Sequence, residues 1–477
     1  MKKMNKAGSK NVEDIIALTP MQQGMLFLYL KDPGSGKNLE QLYLEISGKI
    51  DIALFRKAWD FVIHSNEMLR TVFRWEKVKE PVQIILKEHH LNLEYFDFSS
   101  RNRDEKKKLL KDLRDRDRNE KFDLREVAFR VRLCKIEEEK YAMLVSNHHI
   151  LYDGWSNGII LKEFFNAYND LRHHRVPVKP GKGRLKDFIC WIQSQDTDDI
   201  KQKREKFWKE YLEGFEVKHR HGGFAKRREE VRSVGEYRFK FHAAIKRDIE
   251  SFVREHKISL SSLVYFAWGL LLQGYNDCRD ILFDTTVSGR SAKVENIENM
   301  VGLFINTLPL RVKAFPGEKV IDVLQRISRM LRQREEFENV SPVFLKEYLR
   351  WYRGDVLFDS LVVIENYPLD IRSIQETSEF SFGSFSSVGM TDYDLTVILT
   401  IFDRIEVNFI FNKRLLSRVV VEEMSHLFIG VVKNIISDGG KRVGEIGVLP
   451  KGIQLREVAN QKFLQGGPGG TVFSKRV

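Results

Sequence analysis

Along the chain, stretches with helical spacing of apolar positions alternate with stretches with strand spacing, and both kinds occur in both halves. In the first half, the spacing predicts helices over residues 20–30, 52–66 and 105–117, and strands over 41–46, 71–75 and 141–147. In the second half, it predicts helices over residues 185–195, 199–212 and 260–275, and strands over 236–242, 281–287, 357–365, 395–402 and 406–412. Two mixed sets of this kind predict two α/β lobes, although no repeat at the level of sequence relates them.

Proline and glycine mark the predicted boundary between the lobes. Residues 176–183 contain two prolines and two glycines, a composition typical of a linker. We therefore expect an N-terminal lobe over residues 12–178 and a C-terminal lobe over residues 179–450. Residues 1–11 are polar and are predicted to be a flexible N-terminal segment. Residues 451–477 include a Gly-Gly-Pro-Gly-Gly run and are predicted to be a linker or an appended tail.

Composition agrees with a large cytoplasmic protein. The 477 residues exceed the length of a usual single domain, and a hydrophobic content of 42% with 33 phenylalanines is ample for a sizeable core. Three cysteines (Cys134, Cys190 and Cys278) lie far apart without metal-ligand spacing, so we expect them reduced and no metal bound. No stretch approaches the roughly 18 apolar residues of a membrane span, so no membrane partner is expected.

The formal net charge of +12 raises the question of an acidic partner. Much of the excess lies in residues 101–118 and 218–232, and the first of these alternates in sign as a solvated helix does. Nucleic acid is an unfavoured partner, because no exposed aromatic residues are interleaved with the basic ones and no nucleic-acid-binding motif is present.

The candidate chemistry lies in residues 148–154, His-His-Ile-Leu-Tyr-Asp-Gly. An apolar run precedes this segment and a helical pattern over residues 155–171 follows it, so a strand enters an Asp-Gly turn and a helix leaves it. Two imidazoles thus lie at a strand end, where loops converge and substrates commonly bind. Histidine exchanges protons near neutral pH. Histidine pairs at residues 89–90 and 173–174 lack this context, and no chemistry is assigned to them.

This segment resembles the His-His-x-x-x-Asp-Gly signature of the condensation domains of nonribosomal peptide synthetases, within the chloramphenicol acetyltransferase-like superfamily. Further segments resemble that family's motifs in the same order, with Asn66 where a charged residue is more usual; they are residues 18–27, 64–73, 286–290, 300–307, 364–368 and 392–396. The resemblance covers about residues 12–450. It implies two chloramphenicol-acetyltransferase-like α/β (α+β) lobes arranged as a V, with the active site in the tunnel between them.

The resemblance implies peptide bond formation between a donor peptidyl or aminoacyl thioester and an acceptor aminoacyl thioester. Both would be carried on the phosphopantetheine arms of peptidyl carrier proteins, one upstream and one downstream, beside an adenylation domain. No cofactor would be bound intrinsically, because the carriers deliver the phosphopantetheine. A basic surface would speed the docking of acidic carriers by electrostatic steering.

The resemblance also assigns roles to residues of the loop. His149 would face the junction of the lobes, as a general base or as the residue that orients the amine and stabilises the adduct. Alternation along the strand points His148 away from His149, toward a structural hydrogen bond. Asp153 is a catalytic carboxylate by type alone, whereas the resemblance implies a buried ion pair with Arg290. Gly154 would supply backbone freedom and close substrate approach.

Four further residues are expected along the substrate tunnel: Trp155, Ser156, Ser288 and Asn306. Ser156 is also predicted to be the N-cap of a helix that begins near Asn157.

Several alternatives stay open at this point. Epimerisation domains share the histidine core, but there the glycine is typically followed by Val-Ser-Trp, whereas here Trp155-Ser156 follows it. Heterocyclisation is excluded, because that subtype has aspartates in place of the histidines. A free-standing acyltransferase and a catalytically silent module for carrier docking remain. Residues 18–27, 364–368 and 392–395 look like condensation domains that join a D-configured donor to an L-acceptor, unless they mark lineage alone.

Overall fold

The computed structural model describes residues 11–32, 38–215, 234–340, 345, 360–365, 380–389, 393–401 and 404–447. The helices of these residues are α1 Pro20–Lys31, α2 Ile52–Ser65, α3 Arg103–Asn119, α4 Gly154–Arg172, α5 Leu185–Ser194, α6 Asp198–Leu212, α7 Ala243–Glu255, α8 Leu260–Asn276, α9 Val320–Glu335 and α10 Arg418–Ser437. The strands are β1 Val12–Ala17, β2 Leu39–Ser47, β3 Thr71–Arg74, β4 Val82–Leu86, β5 Glu94–Asp97, β6 Phe129–Glu137, β7 Lys140–His148, β8 Val234–Lys240, β9 Asp280–Val287, β10 Asn306–Lys313, β11 Ser360–Glu365, β12 Ser381–Gly389, β13 Leu395–Ile401 and β14 Ile405–Asn412.

Every predicted helix and strand corresponds to an element of the same type where its residues are described. Parts of several predictions lie outside the described residues. They are the N-terminal segment before residue 11, the basic residues 218–232, residues 357–359, residues 366–368 and 392 of the segments that resemble family motifs, Phe402 and the tail after residue 450. The spacing did not predict nine elements, which are β1, β4, β5, β6, β10, β12, α7, α9 and α10.

The strands form three sheets, and the mixture of sheets and helices confirms the predicted α/β class. The small sheet has the order β1-β4-β3, the five-stranded sheet β12-β2-β7-β6-β5, and the six-stranded sheet β10-β9-β11-β13-β14-β8. β12, late in the chain, pairs antiparallel with β2, so the second half of the chain contributes an edge strand to the sheet that carries the histidine loop.

A first core forms where α2 and α4 cover the five-stranded sheet. Helix α2 begins at an Asp51 cap and buries the positions that its helical spacing predicts, from Phe55 to Ile63. Trp59 stacks on Phe164 of α4 with a centroid distance of 4.6 Å. Burial of each such side chain stabilises the fold by about 1.5–3 kcal/mol. This packing holds α4, and hence the loop that precedes it, against the sheet.

A second core surrounds α8, which is buried on nearly every side from Ser262 to Tyr275. Its residue Gly269 allows close approach to β10, because a Cβ there would lie 2.7 Å from Val312. Trp268 contacts Phe409 and Phe428 from the flanking elements. Within the described residues, no single helix is long and apolar enough to cross a membrane, although the bent pair α7 and α8 together meets the same length and composition criteria.

The predicted linker lies in a stretch without regular structure, in which Val176 and Val178 are 85% and 83% exposed. Beyond it, Phe188 of α5 packs in the first core against Phe304, with a centroid distance of 4.8 Å. The first core therefore contains side chains from both sides of the predicted linker. The boundary at residue 178 and the V arrangement stay predictions.

Candidate active site at the histidine loop

The backbone of the histidine loop is held where β7 ends beside β2. His148 is the last residue of β7 and pairs with Leu39, and the backbone N–H of His149 donates to the carbonyl of Asn38 over 2.7 Å. The amide of Gln22 on α1 donates to the carbonyl of Ile150 over 3.1 Å. The opening segment that resembles the family motif thus supports this loop directly.

The ring of His149 is oriented by its own loop. Its Nδ1 lies 2.8 Å from the carbonyl oxygen of Tyr152. Because a carbonyl only accepts hydrogen bonds, Nδ1 carries a hydrogen and donates it. Nε2 lies 3.2 Å from Oε1 of Glu40, and the two side chains are 19% and 15% exposed. The nitrogen available for proton exchange therefore faces a carboxylate.

Glu40 is the site residue that the sequence reasoning missed. It lies at the start of β2, where its partner in the ladder is Asn147. Burial raises the pKa of the Glu40 carboxyl, the neighbouring His149 opposes that rise, and the charge of Asp153 adds to it. No local motif marks Glu40, since only the register between β2 and β7 brings it to His149.

His148 has the surroundings of a structural residue. Its ring is buried and stands edge-on to Tyr29 at a centroid distance of 5.9 Å. Nδ1 accepts a hydrogen bond from the N–H of Ile150 over 3.1 Å. Burial lowers the pKa of His148 to about 3, and the nearby His149 adds to the shift. The ring is therefore neutral at physiological pH, which fits the predicted structural hydrogen bond.

The prediction that Ser156 caps α4 is wrong, and the predicted approach of substrate to Gly154 stays a prediction. The helix begins at Gly154, and its N-cap is Asp153, whose carboxylate accepts from the N–H of Ser156 over 3.3 Å. Aspartate and serine are both good N-caps, and Asp153 precedes the first helical residue. The φ angle of Gly154 is not positive, so no left-handed backbone requires glycine at this first helical position.

Asp153 and Arg290 are brought together, and both are buried. Nη2 of Arg290 lies 3.2 Å from Oδ1 of Asp153, with side-chain exposures of 4% and 0%. The other oxygen, Oδ2, accepts from the N–H groups of Phe304 over 3.0 Å and Ile305 over 3.3 Å. Burial lowers the pKa of Arg290, and Asp153 opposes that shift. One carboxylate thus fastens the histidine loop to the segment before β10.

The backbone at Gly289, beside Arg290, requires a glycine. Its φ is +64°, in the left-handed region, and a Cβ there would lie 1.9 Å from the carbonyl oxygen of Phe304. Any side chain at Gly289 would therefore displace the segment that Asp153 holds. Ser288 is exposed, and its Oγ accepts from the N–H of Arg290 over 3.3 Å.

The remaining predicted tunnel residues make structural contacts. Nε1 of Trp155 donates to the carbonyl of Glu298 over 2.9 Å. The single O–H of Ser156 lies within hydrogen-bonding distance of two acceptors, Oδ1 of Asp153 at 3.1 Å and the carbonyl of Gly302 at 3.2 Å. The amide of Asn306 donates to two carbonyls, those of residues 338 and 340, over 2.7 and 2.8 Å. Both hydrogens of the Asn306 amide bind the loop of residues 338–340. Any influence of Asn306 on a substrate tunnel would therefore come from the position of that loop.

Among the described residues, no group of three or more His, Cys, Asp or Glu side chains could hold a metal ion.

Residues 12–454 match the family model described as the condensation domain, and the chain belongs to that family. Its relatives are nonribosomal peptide synthetases. Tyrocidine synthase 2 of Brevibacillus parabrevis is 30% identical over 459 residues, which cover 94% of this chain and 12% of the synthase. Surfactin synthase subunit 3 of Bacillus subtilis (strain 168) is 29% identical over 453 residues, which cover 94% of this chain and 35% of the subunit.

The fold is similar to that of the first condensation domain of the CDA synthetase. The TM-score is 0.75 at 18% sequence identity, and the match covers 92% of this chain and 100% of that chain. The family predicted from the histidine segment is confirmed. The chain spans about an eighth and about a third of the two synthetase relatives described above.

Proposed function

We propose that this chain joins a donor acyl thioester to the amino group of an acceptor aminoacyl thioester. Both substrates would arrive on phosphopantetheine arms of carrier proteins, from upstream and downstream, beside an adenylation domain in the cytoplasm. The observation that carries the proposal is the orientation of His149: Nδ1 donates to Tyr152, and Nε2 is left for proton exchange within the His-His-x-x-x-Asp-Gly loop. Family membership supports this assignment over an unrelated use of the same loop.

The reaction needs positioning and the movement of one proton. The acceptor nitrogen attacks the thioester carbonyl carbon, a C–N bond forms, and the C–S bond breaks. One N–H proton leaves the nitrogen, and the departing phosphopantetheine sulfur takes up a proton. His149 would orient the amine and exchange a proton at Nε2, while two tethered substrates meet in a tunnel between the lobes. The amide of Gly154 would polarise the thioester oxygen.

The experiment supplies the chain with loaded donor and acceptor carriers in a single turnover, and mass spectrometry measures the carrier-bound peptide. We expect His149→Ala to lower the rate by about 10²–10⁴-fold. His173→Ala is the matched control, because His173 is exposed at the far end of α4. Peptide formed at the normal rate by folded His149→Ala would remove His149 from the mechanism. Carrier binding without any peptide from the unaltered chain would favour a silent docking module.

We further propose that the donor ends in a D-residue and that the acceptor is an L-amino acid. The support is the resemblance of residues 18–27, 364–368 and 392–395 to condensation domains of that type. Inverting the donor α-carbon exchanges its side chain and amide, which would misplace the carbonyl by about an ångström and cost about 10²-fold in rate. Competition between D- and L-terminated donors on one carrier tests this. Equal rates, or a preference for the L form, would leave these segments as marks of lineage.

A further inference from the structure

A buried carboxylate faces the reactive nitrogen of the candidate catalytic histidine. The contact joins Nε2 of His149 to Oε1 of Glu40 over 3.2 Å, and both side chains are mostly buried. Because Nδ1 already donates to Tyr152, a neutral ring has a lone pair at Nε2. An ionised Glu40 would also present only lone pairs. A contact of this length therefore requires one proton between the two atoms.

The second carboxylate oxygen, Oε2 of Glu40, is buried and has no hydrogen-bond partner among the described residues. Buried oxygens without a partner are uncommon, because an unmade hydrogen bond is costly. In a site that receives an amine, such an oxygen is a natural acceptor. An α-amino group has a pKa of about 8, so its neutral, attacking form is accessible near neutral pH and still has N–H hydrogens to donate.

The surroundings favour a single shared proton over two separate charges. The ionisable groups that act on Glu40 are His149, Asp153 and the buried hydroxyl of Tyr152, which itself has no partner among the described residues. The edge strand β12 closes the other side with Gly389, where a Cβ would stand 3.7 Å from Oε1. Among the described residues, these groups include no cation besides His149, so His149 is the group with which Glu40 can share a proton.

We propose that Glu40 is the proton-sharing partner of His149 and that its free oxygen accepts a hydrogen bond from the acceptor's amino group. The inference rests on the proposed function. Glu40 positions the shared proton at Nε2. When the C–N bond forms, the free oxygen of Glu40 takes the N–H proton, and Nε2 gives its proton to the departing sulfur.

The kinetic test compares Glu40→Gln and Glu40→Asp with the unaltered chain in the single-turnover assay across a range of pH. We expect Glu40→Gln to lower the rate about 10²-fold at neutral pH and to change the shape of the pH–rate profile, because an amide cannot carry the proton. Glu40→Asp keeps a carboxylate and should retain more activity. Glu45→Gln is the matched control: it lies on the same strand but on the opposite face, where Tyr43 donates to it.

Two results would overturn the proposal: an unchanged profile for Glu40→Gln, or equal losses in the Gln and Asp variants with the profile shape kept. The second would indicate a structural role alone. A measurement without turnover uses protein labelled with ¹⁵N-histidine, with the His149 signals assigned by their loss in His149→Gln. We expect hydrogen at Nδ1 and a shared proton at Nε2 at neutral pH, and a shifted Nε2 signal in Glu40→Gln. An unprotonated Nε2 with the same signal in both proteins would refute the pairing, even if the unaltered chain forms no peptide.

Discussion

Replacing Asp153 with asparagine tests whether its buried carboxylate fastens the histidine loop to the C-terminal segment. Oδ1 accepts from Arg290 and from the N–H and hydroxyl of Ser156, and Oδ2 accepts from the N–H groups of Phe304 and Ile305. An asparagine turns one oxygen into a donor, so at least two donors lose their acceptor. Each unsatisfied group costs about 1–3 kcal/mol. We therefore expect Asp153→Asn to lower the free energy of unfolding by about 3–5 kcal/mol, the range for breaking a buried ion pair.

A double mutant tests whether the costs of Asp153→Asn and Arg290→Met come from the contact between these two side chains or arise independently. Arg290→Met keeps an apolar chain beside Phe304, whose ring lies 4.3 Å from the guanidinium, but leaves Asp153 without its cation. Since either single change already breaks the pair, the double mutant should cost less than the sum, by about 0.5–3 kcal/mol. The control combines Asp153→Asn with Arg311→Met, because Arg311 pairs with Asp280 at the other end of the β9–β10 hairpin.

The assay is urea unfolding at neutral pH, followed by circular dichroism and by tryptophan fluorescence so that the two probes reveal any intermediate. Additive costs for Asp153→Asn and Arg290→Met, within about 0.5 kcal/mol, would show that the two side chains do not stabilise each other. Coupling as large in the Arg311 control would mean that the effect is not specific to this contact. Either outcome would refute the reasoning from the geometry.

Two further predictions concern the C-terminal half. Burial raises the pKa of Glu338 to about 7 from its usual 4.5, so the folded chain keeps a proton that the unfolded chain loses. The free energy of unfolding should thus fall as pH rises from about 4.5 to about 7. Glu338→Gln should remove this loss. In urea unfolding, the free energy of unfolding of the variant relative to that of the unaltered chain should rise by up to roughly 3 kcal/mol between about pH 5 and pH 8. A difference that is the same at both pH values would contradict the prediction. Gly289→Ala should lower the melting temperature and peptide formation together, because its Cβ would collide with the Phe304 carbonyl; scanning calorimetry with an unchanged melting temperature would contradict the clash.

The sequence predicted best what depends on neighbouring residues. The helical spacing of α2 and α8 and the apolar run of β7 carry their own signal, because each buries a face that its spacing defines. Strands β1 and β12 were missed, and each pairs with a strand far away in the chain. β12, for example, pairs with β2 across more than 300 residues of sequence. No local spacing encodes such a pairing.

The same distinction between local and distant contacts separates the site residues that the sequence predicted from those that it did not. The resemblance identified His149, Asp153 and Arg290 from short motifs, and the structure places these residues in one loop system. The cap of α4 was assigned wrongly because Asp153 and Ser156 both suit that position, and the hydrogen bonds to residues 302–305 lie beyond local reasoning. Glu40 was missed for the same reason, since its chemistry comes from the register of two strands.

The surroundings of His149 are therefore assembled from contacts that span the whole chain. On one side, β12 from the second half lies against β2 and closes over Glu40. On the other side, Arg290 and the backbone of residues 304–305 hold Asp153, which caps the helix that follows the loop. A displacement of these segments of the second half would change both sides together. The proton at Nε2 and the position of the loop should then change together. We therefore expect the effects of substitutions at Glu40 and at Asp153 on the rate of peptide formation to be non-additive, although Glu40 handles the proton and Asp153 holds the loop.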